Sequence, residues 1–548
     1  MTLPVSKLKL ELLKKKLMQE EKEKKSEIKN AEVTDFSENC PTPNVEIVSP
    51  NKFEGYVEKR LDKVKVEGEQ IFDDKYMLSK IIDFATTRPI EVISDFELKT
   101  KIEKAYYFEP DSRLIDDKGL RRFCEEHPNV KYLNLGNCDK IMDFSPIGNL
   151  KDLEQLDLNN CDYLYDIDFL KTCKKLRVLN IADTDIKYID VVENMPDLEI
   201  LNLSTNPVQD IRPLCNCKKL KDLILWGCLS LNNIDSLRFC TTLRALDIDS
   251  VPVSDLSCLK DLPVLDTLLM DNCNNVTDFS FLKNLITLKV LACDGTLPIS
   301  NENLKNFSNL TNLVYLTLNN RKISSLEPLK NLINLEEIQV KSNLIVDLKP
   351  LSKMVNMLKV DFSDNSNLTD LSPLASMTKL TNFKMEGNTV SVVAIKDFKK
   401  SVTANMTVEN FDVIKNFSEL KAFYISGNYK VKDLSPLMNC KKLEELSVTS
   451  CMQLEDVEFI KYLDQLFLLT LNDNPRIKDL YCVTNLTKLR QFNYSGTAVP
   501  TAKMANVLKR CTSIFQLVGN NGNRIQGQYL ASAKKRCKMY SLRKKIKK

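Results

Sequence analysis

The sequence predicts an α/β-type repeat protein, a curved right-handed solenoid with a parallel sheet on its concave face, a helical N-terminal cap and a basic C-terminal tail. Three observations predict it. The pattern L-x-x-L-x-L-x-x-(N/C) begins at Val130 and recurs at Leu153, Leu176, Leu198, Leu220, Leu243, Leu265, Leu288, Leu313, Leu335, Met357, Leu380, Leu420, Leu443, Leu466 and Leu489, sixteen copies in all. The copies follow at steps of 22 or 23 residues, apart from 25 before Leu313 and 40 before Leu420. Each then carries a second apolar cluster, as in "VQDIRPL", "ISSLEPL", "LTDLSPL" and "VKDLSPL". A period this regular marks units that cannot bury their leucines alone and must stack.

In chain order, residues 1–50 read as a charged arm and linker. Leu8, Leu12, Leu13 and Leu17 fall at roughly helical spacing, but the apolar stripe is too short for a stable coiled coil. Residues 51–129 are expected to cap the open end of the core, with helical candidates at "DDKYMLSKIIDFATTRP" and "DDKGLRRFCEEH". The solenoid spans 130–500 with about sixteen repeats and an insertion at 389–419. A closing cap occupies 501–527, and the basic tail is 528–548. Within a unit, alternating leucines in L-x-L make a short strand with one buried face. The second cluster returns the chain along the convex side, with Pro213, Pro328, Pro350, Pro373 and Pro436 setting the turn. The ninth position, where the strand gives way to the return, holds six Asn, five Cys, three Thr, one Val and one Arg. Small side chains that hydrogen-bond suit a tight interior where backbone groups need partners. Four more cysteines (Cys173, Cys217, Cys240, Cys440) recur three residues before the next repeat, so most thiols are expected to be buried structural residues.

Charge is unevenly spread. Residues 7–29 carry nine Lys against five Glu, and 528–548 carry nine Lys or Arg and no acid, so the body is acidic although the chain is +4 overall. The apolar runs are too short for a membrane span, and the charged start lacks the apolar stretch of a signal peptide. The protein is therefore expected inside the cell, in the cytoplasm, the nucleus or both, and the basic clusters of the tail resemble nuclear-import signals.

The "DLSPL" strings and the leucine spacing of residues 130–497 resemble the leucine-rich-repeat superfamily in its 22-residue subclass. That subclass includes bacterial internalins and the leucine-rich-repeat regulatory subunit of type-1 protein phosphatase. The segment "DDKGLRRFCEEHPNVKYLNLGNC" also resembles the cysteine-containing repeats of F-box proteins. The resemblance implies a scaffold for binding proteins, and it implies two partner classes: a type-1-like phosphatase, or a ubiquitin ligase for which this chain recruits substrates. The string "KIIDF", with Lys80, Ile82 and Phe84, fits a loose phosphatase-docking pattern.

Catalytic chemistry finds little support. The single histidine, His127, precedes Pro128 in a loop, and the close pair Cys215 and Cys217 has no second pair at zinc-finger spacing. No enzyme activity, cofactor or metal is expected, and nucleic acid would have only the basic tail to bind. The informative surface is the concave face, read down the fifth and seventh positions of each unit. There Trp226, the only tryptophan, shares a column with Asp249, Asp271 and Asp294, beside Ile224, Asp247 and Leu269. These seven residues are expected to form an exposed apolar patch ringed by carboxylates, a hot spot for a protein partner with a basic and apolar surface.

Overall fold

The computed structural model describes residues 107–108, 115–387, 408, 410–500, 503–504, 507, 514–519 and 524–526. The expectations for residues 1–50, for "KIIDF" and for the tail 528–548 lie outside the described residues. Among the described residues nineteen strands, numbered in chain order, form one sheet. From β1 (Tyr107–Phe108) to β18 (Gln516–Val518) each strand pairs in parallel with the next, and β19 (Arg524–Gln526) pairs antiparallel with β18. Strands flank both ends of the leucine pattern. β1 precedes Val130, and β18 follows the last copy through Ile514 and Leu517.

The leucine at the fourth position is the pivot of each unit. Leu133, Leu156, Leu179 and Leu201 stand directly opposite one another on successive strands, and the column continues to Phe492 and Leu517. All are buried in one core running the length of the solenoid. On the far side the units return through 3-10 turns, such as Ser145–Asn149, Arg212–Asn216 or Ser435–Asn439, with Pro146, Pro213 or Pro436 in the first turn. An Asp two residues upstream accepts the amide at its start, as in Asp210 from Arg212 (2.9 Å) and Asp433 from Ser435 (2.7 Å). This explains the recurrent D-L-x-P-L string. A helical turn is wider than a strand, so the sheet takes the inner arc. At the N-terminal end, α1 (Asp117–Glu126) takes the place of the 3-10 turn, is capped by Asp116, and buries Leu120, Phe123 and Cys124.

Two backbone demands shape the turn after each strand. The eighth position is left-handed in fourteen units, including Asn137, Asp183, Ser250, Asn320, Asp473 and the glycines Gly227, Gly427 and Gly496. Asn, Asp and Gly tolerate that region best, which accounts for the Asn/Asp/Ser/Gly bias there. Thr205, β-branched at φ 61°, is the costly member. In many units the ninth side chain then turns inward and donates to the sixth-position carbonyl of the preceding unit, while Thr184 and Thr497 donate within their own unit. Asn206 reaches Ile181 O (2.6 Å), Asn343 reaches Leu318 O (2.8 Å), Asn365 reaches Val340 O (2.9 Å) and Asn474 reaches Val448 O (2.8 Å). Cysteine does the same through sulfur: Cys161 to Leu135 O (3.2 Å), Cys228 to Leu203 O (3.2 Å) and Cys273 to Ile248 O (3.1 Å). Asn and Cys are therefore interchangeable donors in one ladder. Burial drives the Cys161 and Cys228 thiols up to about 12, so they stay protonated and able to donate.

Arg321 is the exception that explains the 25-residue step. It occupies the ninth position yet is only 1% exposed. Its Nε donates to Cys293 O (2.7 Å), Nη2 to Asp294 O (2.9 Å) and Nη1 to Leu297 O (3.3 Å). The longer unit, with the short helix α2 (Asn301–Leu304) in its return, supplies the room and the carbonyls. Gly295 supplies the clearance, because a Cβ there would lie 2.7 Å from the guanidinium carbon. Gly295→Ala should cost roughly 1–3 kcal/mol through overpacking. Arg321→Ala should cost roughly 3 kcal/mol by leaving buried carbonyls without donors. The double variant should cost at least about 1 kcal/mol less than the sum, because removing the arginine frees the space the new methyl needs. Strict additivity in urea unfolding would show that the two residues do not meet.

Candidate functional site

The third, fifth and seventh positions face the concave side, opposite the leucine column. β6 (Asp222–Ile224), β7 (Ala245–Asp247), β8 (Thr267–Leu269) and β9 (Val290–Ala292) set Ile224, Asp247, Leu269 and Ala292 side by side. Trp226, Asp249, Asp271 and Asp294 follow two or more residues later at the mouths of the turns. The structure thus brings together all seven residues named from the sequence.

Their exposure differs from expectation. Trp226 is open, at 41%. Ile224, Leu269, Asp247, Asp249 and Asp271 are buried, and Asp294 is half-buried. The cause is lateral packing. Strands about 4.8 Å apart bring long side chains into contact along the face, and Ile224, Leu269, Val290, Ala292 and Tyr315 close over one another as a second apolar cluster. Asp247 is held between Ile224 and Leu269. The patch is a largely closed surface with one protruding indole, and the carboxylates form its floor.

These acids also have local duties that the spacing alone does not reveal. At the fifth position an Asx side chain accepts the amide two residues on: Asp247 from Asp249, Asp157 from Asn159 and Asp361 from Ser363, each at 2.9 Å. At the seventh position the acceptor reaches the next unit. Asp271 Oδ1 accepts the Asp294 amide (2.6 Å) and Asp294 Oδ1 accepts the Asn319 amide (2.7 Å). Asp249 accepts from Ser250 (2.9 Å) and from Asn272 (3.3 Å).

No ion pair neutralises Asp247, Asp249, Asp271 or Asp294 among the described residues. Desolvation leads the upward shift in all four, and for Asp271 the charge of Asp294 adds to it; Asp247 and Asp271 reach about 7. The zone is wider than these four. From Tyr132 to Asn319 the concave positions hold six aspartates (Asp157, Asp222, Asp247, Asp249, Asp271, Asp294) and no Lys or Arg. Beyond Glu337, Lys341, Lys359 and Lys384 alternate with acids. Four of the cations that border the acidic zone are paired: Lys131 with Glu154 (2.9 Å), Arg177 and Lys221 with Glu199 (2.8 and 2.7 Å), and Arg244 with Asp266 (3.1 Å).

Elsewhere the described residues contain no group of three or more His, Cys, Asp or Glu arranged to hold a metal ion. None of their helices is long and apolar enough to cross a membrane. His127 caps α1 and packs on Phe123, 4.9 Å between ring centres.

The raised carboxylates make a pH prediction. Their folded values lie above the ordinary value near 4, so the folded state binds more protons than the unfolded chain between about pH 4 and 7. The fold is best served below that window and loses stability as pH rises through about 7. In urea unfolding, wild type should therefore lose roughly 2 kcal/mol or more relative to the Asp247→Asn/Asp271→Asn double variant between pH 4 and pH 8. Parallel pH profiles for the two proteins would show that the carboxylates titrate normally.

Residues 174–216 match the family described as Leucine Rich repeats (2 copies). A comparison with curated protein sequences gives no match. Among solved structures, a leucine-rich-repeat protein from Leptospira interrogans is similar at 17% identity, with a TM-score of 0.57, over 75% of this chain and 99% of that one. An internalin from Listeria monocytogenes aligns at 20% identity over 64% of this chain and 93% of that one, with a TM-score of 0.47. Stacked strands, 3-10 returns, the Asn/Cys ladder and the matched segment agree: the chain carries leucine-rich repeats and folds as a leucine-rich-repeat solenoid.

Proposed function

We propose that the protein is a non-catalytic scaffold or regulatory subunit that holds a protein partner on its concave face, with Trp226 as the anchor. The observation that carries this reading is the half-exposed indole of Trp226 on a stretch of the face, from Tyr132 to Tyr315, whose other apolar side chains are buried. A lone large aromatic over a rigid, desolvated floor is the geometry of an interface hot spot. The sheet beneath is fixed by backbone pairing on both sides, so a partner would meet a preorganised surface. The acidic zone favours a partner with basic and apolar groups.

For the partner's identity, the 22-residue spacing favours a type-1-like phosphatase and the cysteine-bearing first repeat a ubiquitin ligase. Both rest on resemblance of the repeats alone. Placement in the cytoplasm or nucleus rests on the basic tail alone.

The test uses affinity capture from the native cell with the wild-type chain, Trp226→Ala, and the distal pair Asn472→Ala/Ser495→Ala, followed by titration of the captured partner. Trp226→Ala should change fold stability by no more than about 1 kcal/mol, as at partly exposed sites. It should weaken the partner by about 2 kcal/mol or more. Asp249 is buried, so Asp249→Asn is the suitable charge probe, and it should weaken binding most at low salt. A partner that ignores Trp226 and depends on Asn472 and Ser495 would place the interface at the far end of the solenoid and end this reading.

A further inference from the structure

The strand residues Thr267, Val290, Tyr315, Glu337 and Lys359 stand opposite one another in register. Four residues before each of them stand Pro263, Ile286, Thr311, Ile333 and Val355, a column on the flank where the chain enters the sheet. All five are exposed, Ile286 at 55% and Ile333 and Val355 each at 49%. The same column is polar at Lys151, Lys174 and Lys218 before this stretch and at Ser418 and Lys441 after it. Neighbouring side chains fix the strip in place. Asn312 donates to Ile286 O (2.8 Å), Asn334 to Thr311 O (2.9 Å) and Thr287 to Leu265 O (2.7 Å). A fixed, uncharged row of large apolar side chains on the surface marks an interface.

The row is palindromic, and its symmetry names the occupant. From Thr311 it reads Ile286 then Pro263 in one direction, Ile333 then Val355 in the other, with Thr241 and Thr378 next on either side. A two-fold axis through Thr311, along the radius of the arc, lays Ile286 of one copy on Ile333 of a second and Pro263 on Val355. Curvature is preserved, because such an axis maps the arc onto itself. The adjoining row toward the concave side obeys the same symmetry. Its members Asp266, Lys289, Val314, Glu336 and Leu358 are joined amide to carbonyl, as in Val314 N to Lys289 O (2.8 Å) and Glu336 N to Val314 O (2.9 Å). With Val314 on the axis, Lys289 of each copy meets Glu336 of the other. Neither side chain has an ion-pair partner among the described residues, whereas Arg244 and Asp266 beside them are paired at 3.1 Å. In the row toward the convex side Lys283 faces Lys330, whose charge Glu327 already meets at 2.6 Å. From Thr241 to Thr378 the strip covers six strand spacings, about 29 Å. That is the breadth of a standard interface of about 800 Å² per partner.

We propose that two copies of this chain associate through this flank as a two-fold dimer, with Thr311 on the axis, Ile286 against Ile333 and Lys289 paired with Glu336. A contact that uses the same surface on both copies closes on itself, so assembly stops at two. The dimer stands apart from the reading of the concave face and leaves that face open on both copies.

Sedimentation velocity of the full chain from about 1 to about 100 µM tests this, since interfaces of this size dissociate in the micromolar range or below. Wild type should pass from monomer to dimer with no larger species. Ile286→Lys/Ile333→Lys should raise the dissociation constant at least about tenfold, with the urea midpoint unchanged because both sites are exposed. Lys289→Glu and Glu336→Lys should each weaken the dimer roughly threefold or more by setting like charges opposite one another. The double swap Lys289→Glu/Glu336→Lys should recover most of that loss, which only a pairing between the two positions can do. A monomer at the top of the concentration range would overturn the proposal. So would a dimer indifferent to the two lysines, or a double swap no tighter than the single reversals.

Discussion

Everything in this molecule depends on one constraint: a unit of 22 residues cannot satisfy its own interior. Its leucines need a neighbour's leucines, and the carbonyl at its sixth position takes a side-chain donor from the next unit, in some units beside an amide of its own turn such as Asn206 N on Leu203 O (3.2 Å). The ninth side chain of the next unit supplies it, through the amide of Asn206, Asn343, Asn365 or Asn474 or the thiol of Cys161, Cys228 or Cys273. An orphaned buried carbonyl costs about 1–3 kcal/mol, comparable to a buried methyl group or two. Hydrophobic stacking and the donor ladder therefore act on the same step between units. Arg321 shows how strict the demand is. When the ninth residue is long, the unit grows and Gly295 makes room, but the carbonyl of Cys293 is still met.

The same close spacing that builds the core also builds the concave face. Parallel strands in register press the third, fifth and seventh side chains against those of the next unit. Asx residues there cap turn amides, and apolar residues such as Ile224 and Leu269 close over them. Polar identity and burial then coexist, leaving desolvated carboxylates under a surface that displays little besides Trp226. The result is a concave face rich in desolvated carboxylates from which the indole of Trp226 protrudes.

Much of this was legible in the sequence. The L-x-x-L-x-L register located the strands and the core column, and the recurring D-L-x-P-L string located the returns. Other features were not. β1 and β18 escape the pattern: "YF" at 107–108 offers no leucine spacing, and after Ile514 and Leu517 the sixth position is Gly519 instead of an apolar residue. The seven residues share one face, but a linear pattern treats each outward position as solvated. It carries no information on how side chains one strand apart shield each other, so the burial of Ile224, Asp247, Asp249, Leu269 and Asp271 was missed. A readable signal was available for the turns: Asn, Asp, Ser or Gly at the eighth position marks the left-handed residue. The repeat at Gly295 shows why a 25-residue step matters, but only coordinates connect it to Arg321.

If units are held by the shared core and donor ladder, damage at one rung must be felt by its neighbours and fade beyond them. Native-state amide exchange of Asn365→Ala against wild type measures this directly. Asn365 donates to Val340 O and to Phe362 O, and it accepts the Ile345 amide. Exchange should quicken by roughly tenfold or more in strand and turn amides of residues 335–387, with little change before Leu265 or after Leu443. An effect confined to residues 363–367, or one spread evenly over the chain, would contradict coupling between adjacent units.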